Sequence, residues 1–197
     1  MFTGIIRHTG KMLARSGSVL EISTEVALAA TLAGGDSLAV NGVCLTVVGD
    51  TQAGRIRVDL SQETLHRTSL RNLRPADVLN LEPAMRLTDR LDGHLVLGHV
   101  DATGRIRALH RVADAWRLIV QYPSEFSTLI TDKGSITVDG ISLTPYAVTP
   151  SQFECSIIPT TYSSTNLATL SPGSTVNLEF DVVAKYVKEH LQDVHRS

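Results

Sequence analysis

Ser37-Leu-Ala-Val-Asn-Gly-Val-Cys-Leu-Thr46 returns later in the chain as Ser135-Ile-Thr-Val-Asp-Gly-Ile-Ser-Leu-Thr144. Each stretch is an apolar run broken by Asn41-Gly42 or Asp139-Gly140. These dipeptides readily take the positive φ of a type I′ turn and so join two antiparallel strands. Working outward, residues 64–82 (TLHRTSLRNLRPADVLNLE) return as 161–179 (TYSSTNLATLSPGSTVNLE), and residues 4–10 (GIIRHTG) are echoed by 98–104 (GHVDATG). The three matches keep their order at offsets of 98, 97 and 94 residues. One nearly constant offset of this size means two copies of a domain, whereas solenoid repeats have periods of roughly 20–50 residues. The copies differ at chemically loaded positions: Asn41 and Cys44 align with Asp139 and Ser142. That pattern predicts two related pockets with unequal work.

A chain of 197 residues accommodates two such domains, each able to bury its own core. The formal net charge of −2 gives no global attraction to nucleic acid or anionic membrane. No window approaches the roughly 18–20 apolar residues that span a bilayer. The N-terminus, Met1-Phe-Thr-Gly-Ile-Ile-Arg7, lacks a basic region followed by an apolar stretch and a small-residue cleavage site. The expectation is a mature, soluble, cytoplasmic protein. Cys44 and Cys155 fall in different copies without metal-ligand spacing, and a disulfide between them is not expected in a reducing cytosol. The seven histidines form no metal pattern; His94 and His99, five apart, suit neither a helical pair nor a same-face strand pair. No metal site is expected.

Strand signals dominate. In the first copy they cover 18–23, 37–40, 44–48, 55–60 and 78–82; in the second, 105–108, 115–121, 135–138, 143–148, 153–158 and 175–180. The runs are short, rich in Val, Ile, Leu and Thr, and bounded by turn residues. About six strands per copy suits a small closed barrel, which also removes exposed edges. Helical pieces are predicted at 61–70, at its counterpart 159–170, and at 124–131 with Ser124 as N-cap. Near the end, Val183, Val187, Leu191 and Val194 form one helical stripe, flanked by Lys185, Lys188, Glu189, Gln192 and Asp193. A helix of about 15 residues is marginal alone, so it must dock. Self-association into an oligomer is the first reading and packing on its own barrel the second.

The motifs 1–6 (MFTGII), 41–47 (NGVCLTV), 93–101 (GHLVLGHVD), 133–144 (KGSITVDGISLT) and 177–186 (NLEFDVVAKY) resemble the riboflavin synthase alpha-chain family, in order and over essentially the whole chain. The resemblance implies an all-β fold of two similar six-stranded Greek-key barrels, at 1–93 and 94–182, and a C-terminal oligomerisation helix at 183–197. It implies a homotrimer, no cofactor, and association with lumazine synthase. It also implies a dismutation. Two molecules of 6,7-dimethyl-8-ribityllumazine exchange a four-carbon unit, giving riboflavin and 5-amino-6-ribitylamino-2,4(1H,3H)-pyrimidinedione. One lumazine would sit on the N-terminal barrel of one subunit and the other on the C-terminal barrel of a neighbour.

That chemistry needs a proton removed from the 7-methyl group of one lumazine. It also needs a nucleophile at C7 of the other, and the two rings held face to face. His99 is the first candidate for proton transfer, because its ordinary pKa lies near working pH. Its counterpart is Ile5, so the barrel itself does not demand an imidazole. The bland reading is a structural histidine at the domain junction. Cys44 is a nucleophile or a polar contact, or else a small core residue. By resemblance, Ser37, Leu45, Thr46 and Thr64 contact substrate on the first barrel, with Thr3, Gly4, Ile5 and Ile6 in that pocket wall. Asp59, Leu60, Ser61, Gln62 and Glu63 complete it, the two acids on ribityl hydroxyls or else simply solvated. Gly98 and Val100 flank His99. On the second barrel the resemblance implies Asp139, Ser142 and Thr144 as the acting polar cluster, with Lys133 and Leu143 beside it. Ile157, Ile158, Pro159, Thr160, Thr161 and Tyr162 form the ribityl segment, and Asp181 reaches toward the inter-subunit site. The hydroxyls of Ser142 and Thr144 could equally be satisfied by backbone. The chain departs from the family pattern at Asp92, Leu97 and Thr160, and Leu97 stands near His99 where that pattern has a small or polar residue.

Three other classes compete. A lumazine- or flavin-binding protein of the same fold would bind without turnover. A flavin-using reductase barrel would need a nucleotide-binding domain, and no Gly-x-Gly-x-x-Gly fingerprint is present. An oligonucleotide-binding barrel would need a basic groove with stacking aromatics, and the chain has nine aromatic residues and an acidic balance.

Overall fold

A computed structural model describes residues 1–51 and 53–194, with side chains described through 191. Six strands make the first sheet: β1 (His8–Ser16), β2 (Val19–Thr24), β3 (Ser37–Val40), β4 (Val43–Val47), β5 (Arg55–Asp59) and β6 (Val78–Pro83). They close into a barrel in the order β1-β2-β5-β4-β3-β6. The alternation read in the sequence is realised physically. In β5 the pattern Arg55-Ile-Arg-Val-Asp59 buries Ile56 and Val58 and exposes the rest. Leu20, Ile22, Leu38, Val40, Ile56, Val58, Leu79 and Leu81 are fully buried and fill the barrel. β1 was not expected. Its residues, HTGKMLARS, bury only Gly10 and Met12, too few to make a visible period of two.

The second copy repeats the plan with β7 (Ala102–Val112), β8 (Ala115–Gln121), β9 (Ile136–Val138), β10 (Ile141–Leu143), β11 (Pro145–Thr149), β12 (Gln152–Ile157) and β13 (Thr175–Phe180). Its sheet runs β10-β9-β13-β7-β8-β12-β11. The two end strands are the halves of one strand, the counterpart of β4, divided at Thr144. The cause is Pro145. In the first copy Val47 N–H donates to Asp36 O at 2.9 Å and Val47 O accepts from Gly35 N–H at 2.9 Å. In the second, Pro145 O accepts from Lys133 N–H at 2.8 Å. The reciprocal bond is missing because proline has no N–H to donate. The second ring is therefore closed at this point by the covalent chain.

Helix α1 (Val26–Ala29) was not anticipated. The predicted helix at 61–70 is α2 (Gln62–Arg67) followed by a 3₁₀ turn at Ser69–Asn72, and its counterpart is α3 (Pro159–Ser164) with a turn at Asn166–Thr169. Both break at a threonine in extended conformation, Thr68 or Thr165, whose hydroxyl caps the following turn. The 124–131 prediction becomes a 3₁₀ helix at Ser124–Leu129, with Pro123 rather than Ser124 at its N-cap. The terminal helix, α4 (Val182–Val194), is tied to the second barrel by Ala184 packing on its core and by an ion pair from Lys185 Nζ to Asp101 Oδ2 at 2.6 Å. Its stripe is not used: Val183, Val187 and Leu191 stay 58%, 53% and 53% exposed. The side chains of Gln192, Asp193 and Val194 lie outside those described, as do residues 195–197 of the predicted helix. No helix among the described residues is long and apolar enough to cross a membrane.

The two hairpin turns meet back to back. Asn41 and Asp139 have φ of 46° and 47°, and Gly42 and Gly140 have 75° and 79°. A Cβ on Gly42 would stand 2.6 Å from Gly140 N, so glycine is required there for close approach as well as for φ. Around this contact a buried polar seam joins the copies. Asn80 N–H donates to Asn41 Oδ1 and Asn177 N–H to Asp139 Oδ1, each at 2.8 Å. The Asn80 amide donates across the seam to Asp139 O, and the Asn177 amide to Asn41 O, each at 2.9 Å. Asn80 Oδ1 accepts from Asn166 N–H and Asn177 Oδ1 from Ser69 N–H, each at 2.7 Å. Buried polar groups that are satisfied this fully fix one relative placement of the barrels.

Candidate active site

The N-terminal arms of the two copies are exchanged. Gly4 O accepts from Ser142 N–H of the second barrel at 2.8 Å, and Gly98 O accepts from Cys44 N–H of the first at 2.9 Å. Ile6 packs on the second core and Val100 on the first. Of residues 3–6, read into the first barrel's wall, Thr3 and Gly4 are bonded to Glu82 of that barrel, while Gly4 O and Ile6 meet the second. The arm leaves its own barrel because Phe2 pairs with Val96, donating to its carbonyl at 2.7 Å and accepting from its N–H at 3.1 Å. Both glycines have positive φ, 76° and 79°. A Cβ on Gly4 would meet Ser142 Cβ at 2.7 Å, and one on Gly98 would meet Cys44 Cβ at 2.6 Å.

Two buried glutamates hold the arms, and sequence reasoning passed over both. Glu82 accepts from Thr3 N–H at 2.7 Å, from Thr3 Oγ1 at 2.8 Å and from Gly4 N–H at 3.1 Å. Glu179 accepts from the N–H groups of Leu97, Gly98 and His99 at 2.8, 2.9 and 3.1 Å. Burial pushes both carboxyls above the ordinary range, and the backbone donors oppose it. The available signal was the retention of an acid at the end of both copies of the 19-residue match.

On the first barrel, strand alternation sorts the predicted residues. Leu45 and Leu60 point into the core, whereas Cys44 and Thr46 face outward. Ser37 pairs with Thr46, which pairs with Asp59, so three polar side chains form one row across the outer face. Ser61 continues it as N-cap of α2, its hydroxyl accepting from Thr64 N–H at 3.0 Å and lying 2.8 Å from Thr64 Oγ1. Gln62 and Glu63 are exposed beside it, Glu63 paired with Arg67. His99 is exposed on the arm that covers Cys44.

On the second barrel the equivalent row is Ser135, Thr144 and Ser156. Ser156 was not among the expected residues. The register places it at the position of Asp59, so the duplication itself could have pointed to it. Leu143 and Ile157 are core residues, while Ile158, Pro159 and Thr160 are exposed. Thr161 O accepts from Thr165 Oγ1 at 2.7 Å within the α3 turn. Tyr162 stacks on Trp116 with ring centroids 3.6 Å apart. Lys133 holds its ammonium over the Tyr146 ring, 5.8 Å from the centroid. Asp181 Oδ1 accepts from Val183 N–H at 2.9 Å, capping α4. Asp139 is not on this face. Only 2% exposed, it lies in the seam, where its second oxygen accepts from the Asn166 amide at 2.8 Å. Burial pushes its carboxyl up to about 7 against the hydrogen bonds from Asn177 and Asn166.

His94 is a further residue that sequence reasoning left unassigned. Its Nδ1 lies 2.7 Å from Ser142 Oγ. Burial lowers its pKa, and the charge of Asp181 works the other way. A neutral imidazole can accept the Ser142 proton, so this pair presents a polarised hydroxyl on the face covered by the first arm. The other cysteine, Cys155, is fully buried and its thiol is pushed up to about 12, which leaves it inert. Two clefts, of about 480 and about 470 Å³, mark the surface, and neither contains Cys44, His99 or Ser142. Of the predicted substrate residues, Thr3 and Ile5 line the second cleft, while Thr46, Asp59, Thr144 and Thr160 stand on open faces.

The lumazine binding domain family matches the chain twice, over residues 3–84 and 97–181. Riboflavin synthase of Mycobacterium tuberculosis (strain H37Rv) is 45% identical over 199 residues, covering 98% of both chains. That of Photobacterium phosphoreum is 42% identical, covering 97% of this chain and 89% of its own, and that of Bacillus subtilis (strain 168) 36%, covering 100% and 93%. The fold is shared with LumP complexed with riboflavin, at a TM-score of 0.85 and 22% identity over 91% of this chain and 99% of that one. LumP complexed with 6,7-dimethyl-8-(1′-D-ribityl)lumazine gives 0.80 and 21% over the same shares. Two lumazine-binding repeats, near-full-length identity of 36–45% and the paired faces around Cys44 and Ser142 place this chain in the riboflavin synthase family.

Proposed function

We propose that the chain acts as a riboflavin synthase by holding one 6,7-dimethyl-8-ribityllumazine on each of the two polar faces. Four carbons pass from one to the other, leaving riboflavin and 5-amino-6-ribitylamino-2,4(1H,3H)-pyrimidinedione. The observation that carries this reading is the arm exchange, which sets His99 beside Cys44 on one face and Gly4 beside the Ser142–His94 pair on the other. His99 moves the 7-methyl proton. Cys44 contacts the ring of the first lumazine. Ser142 and Thr144 orient the second, and the Ser142 hydroxyl, polarised by His94, assists addition at C7. Asp59 and Glu63 bind ribityl hydroxyls on the first face, and Thr160 and Thr161 on the second. Asp139 positions the Asp139-Gly140 turn and with it the strand carrying Ser142.

Because both faces are open, the second lumazine of a reacting pair comes from a neighbouring subunit, and the exposed Val183-Val187-Leu191 stripe supplies the contact. We assign a homotrimer, cytoplasmic, with barrels at 1–93 and 94–182, an oligomerisation segment from 183 onward, and lumazine synthase as an associating partner. Removing 183–197 lowers the mass found by light scattering; an unchanged mass removes α4 from the contact.

The deciding experiment is incubation of purified protein with 6,7-dimethyl-8-ribityllumazine alone. Riboflavin and the pyrimidine product in equal amounts establish the reaction. Tight binding without conversion makes the protein a lumazine carrier and recasts Cys44 and His99 as pocket residues.

A further inference from the structure

We infer that the cleft of about 480 Å³ between the two barrels, lined by His66, Arg71 and Arg105, is a binding site for the phosphate group of a small phosphomonoester. His66 and Arg71 come from α2 and the turn after it, Arg105 from β7. None of the three forms an ion pair among the described residues, and no carboxylate lines the cleft. Arg15 adds positive charge at the edge, its Nη1 donating to Arg71 O at 3.4 Å. Thr103 and Thr175 line the cleft with half-buried hydroxyls. The volume falls in the range of roughly 300–1,000 Å³ usual for small-molecule sites.

The duplication supplies a control. By the repeat alignment and strand register, His66, Arg71 and Arg105 correspond to Ser163, Ala168 and Lys11, and Pro123, also in the lining, corresponds to Glu25. The same fold is thus built on the other side with one cation and an added acid. The two guanidinium groups are not required by the barrel seam, and a net charge of −2 does not account for two of them beside a histidine without an acid. Guanidinium groups recognise phosphate through paired donors, and a phosphomonoester carries close to two negative charges at neutral pH. The ribityl chains of the proposed substrate and product are neutral, and the cleft shares no residue with the faces assigned to them. The ligand is therefore a different, phosphorylated molecule.

The test uses the full-length chain, calorimetric titration at low salt, and inorganic phosphate and ribose 5-phosphate as probes. Saturable binding is expected, weakening as salt rises. Arg71→Ala and Arg105→Ala, both at exposed side chains, should each weaken it roughly tenfold or more. Lys11→Ala, on the opposite side, should leave it unchanged. Tighter binding of ribose 5-phosphate identifies an organic monoester; equal binding identifies free phosphate as sufficient. Absence of saturable binding, or equal loss in Lys11→Ala, overturns the site. None of these readings depends on turnover, so failure here is distinct from failure of the dismutase assignment.

Discussion

The two barrels build the same outer row and fill it differently. The first presents Asp59 and Glu63, where the second presents Ser156 and Thr160. Their covering arms differ in the same way, with His99 over the first face and Ile5 at the matching place over the second. One fold thus offers an acidic, histidine-covered face and a neutral, hydroxyl-lined one. A reaction that uses one substrate twice, as donor and as acceptor, requires that asymmetry. What the two barrels share, the turns, the seam asparagines and the arm-holding glutamates, is what fixes their geometry.

The shared parts give the largest expected effect. Gly42→Ala forces a Cβ against the Gly140 backbone and strains a positive φ. It should cost up to roughly 6 kcal/mol in a denaturant titration. Gly17→Ala, at φ of 59° with open space around it, should cost only the strain, about 1–3 kcal/mol. Equal losses would mean that contact between the turns does not hold the barrels together.

The arms come next. His99→Ala should cut turnover roughly 10²–10⁴-fold and leave lumazine binding largely intact. Ile5→Val should change turnover little. Unchanged turnover in His99→Ala would remove the difference between the arms from the mechanism.

The seam separates the copies by a charge. Burial pushes the Asp139 carboxyl up to about 7 from an ordinary value of 3.8. The folded state therefore binds the proton more tightly. This contribution is complete below about pH 4 and is lost as pH rises through about 7, on the order of 4 kcal/mol. The double variant Asp139→Asn with Asn166→Ser copies the residues found at Asn41 and Ser69. Its thermal stability should lose this dependence between pH 4 and 8; a retained slope would place the titrating group elsewhere.

The smallest effect concerns ring closure. Pro145→Val restores the N–H that Val47 has. It should add about 1 kcal/mol or less, since the gained bond is offset by a freer unfolded chain. A protected amide at that position in hydrogen exchange shows the second ring closed; rapid exchange shows that Thr144 itself breaks the strand.

Much of this was legible in the chain. Duplication, alternation and the Asn41-Gly42 and Asp139-Gly140 turns determine two barrels, because local periodicity and turn geometry are properties of neighbouring residues. The terminal helix follows from the spacing of its valines. Cys44, Ser142 and Thr144 were singled out by resemblance, and strand alternation accounts for their not pointing into the cores. The exchange of arms was not legible. It depends on Phe2 pairing with Val96 and on which barrel Ile6 and Val100 meet, contacts between residues nearly a hundred positions apart. The same reason moved Asp139 from an expected acting group into the seam and gave His94 a partner in Ser142. Sequence alone determined most of the strands, β1 excepted, and which way their side chains point. Tertiary structure alone decided which copy covers which face, since that is set by burial and hydrogen bonding summed over both barrels at once.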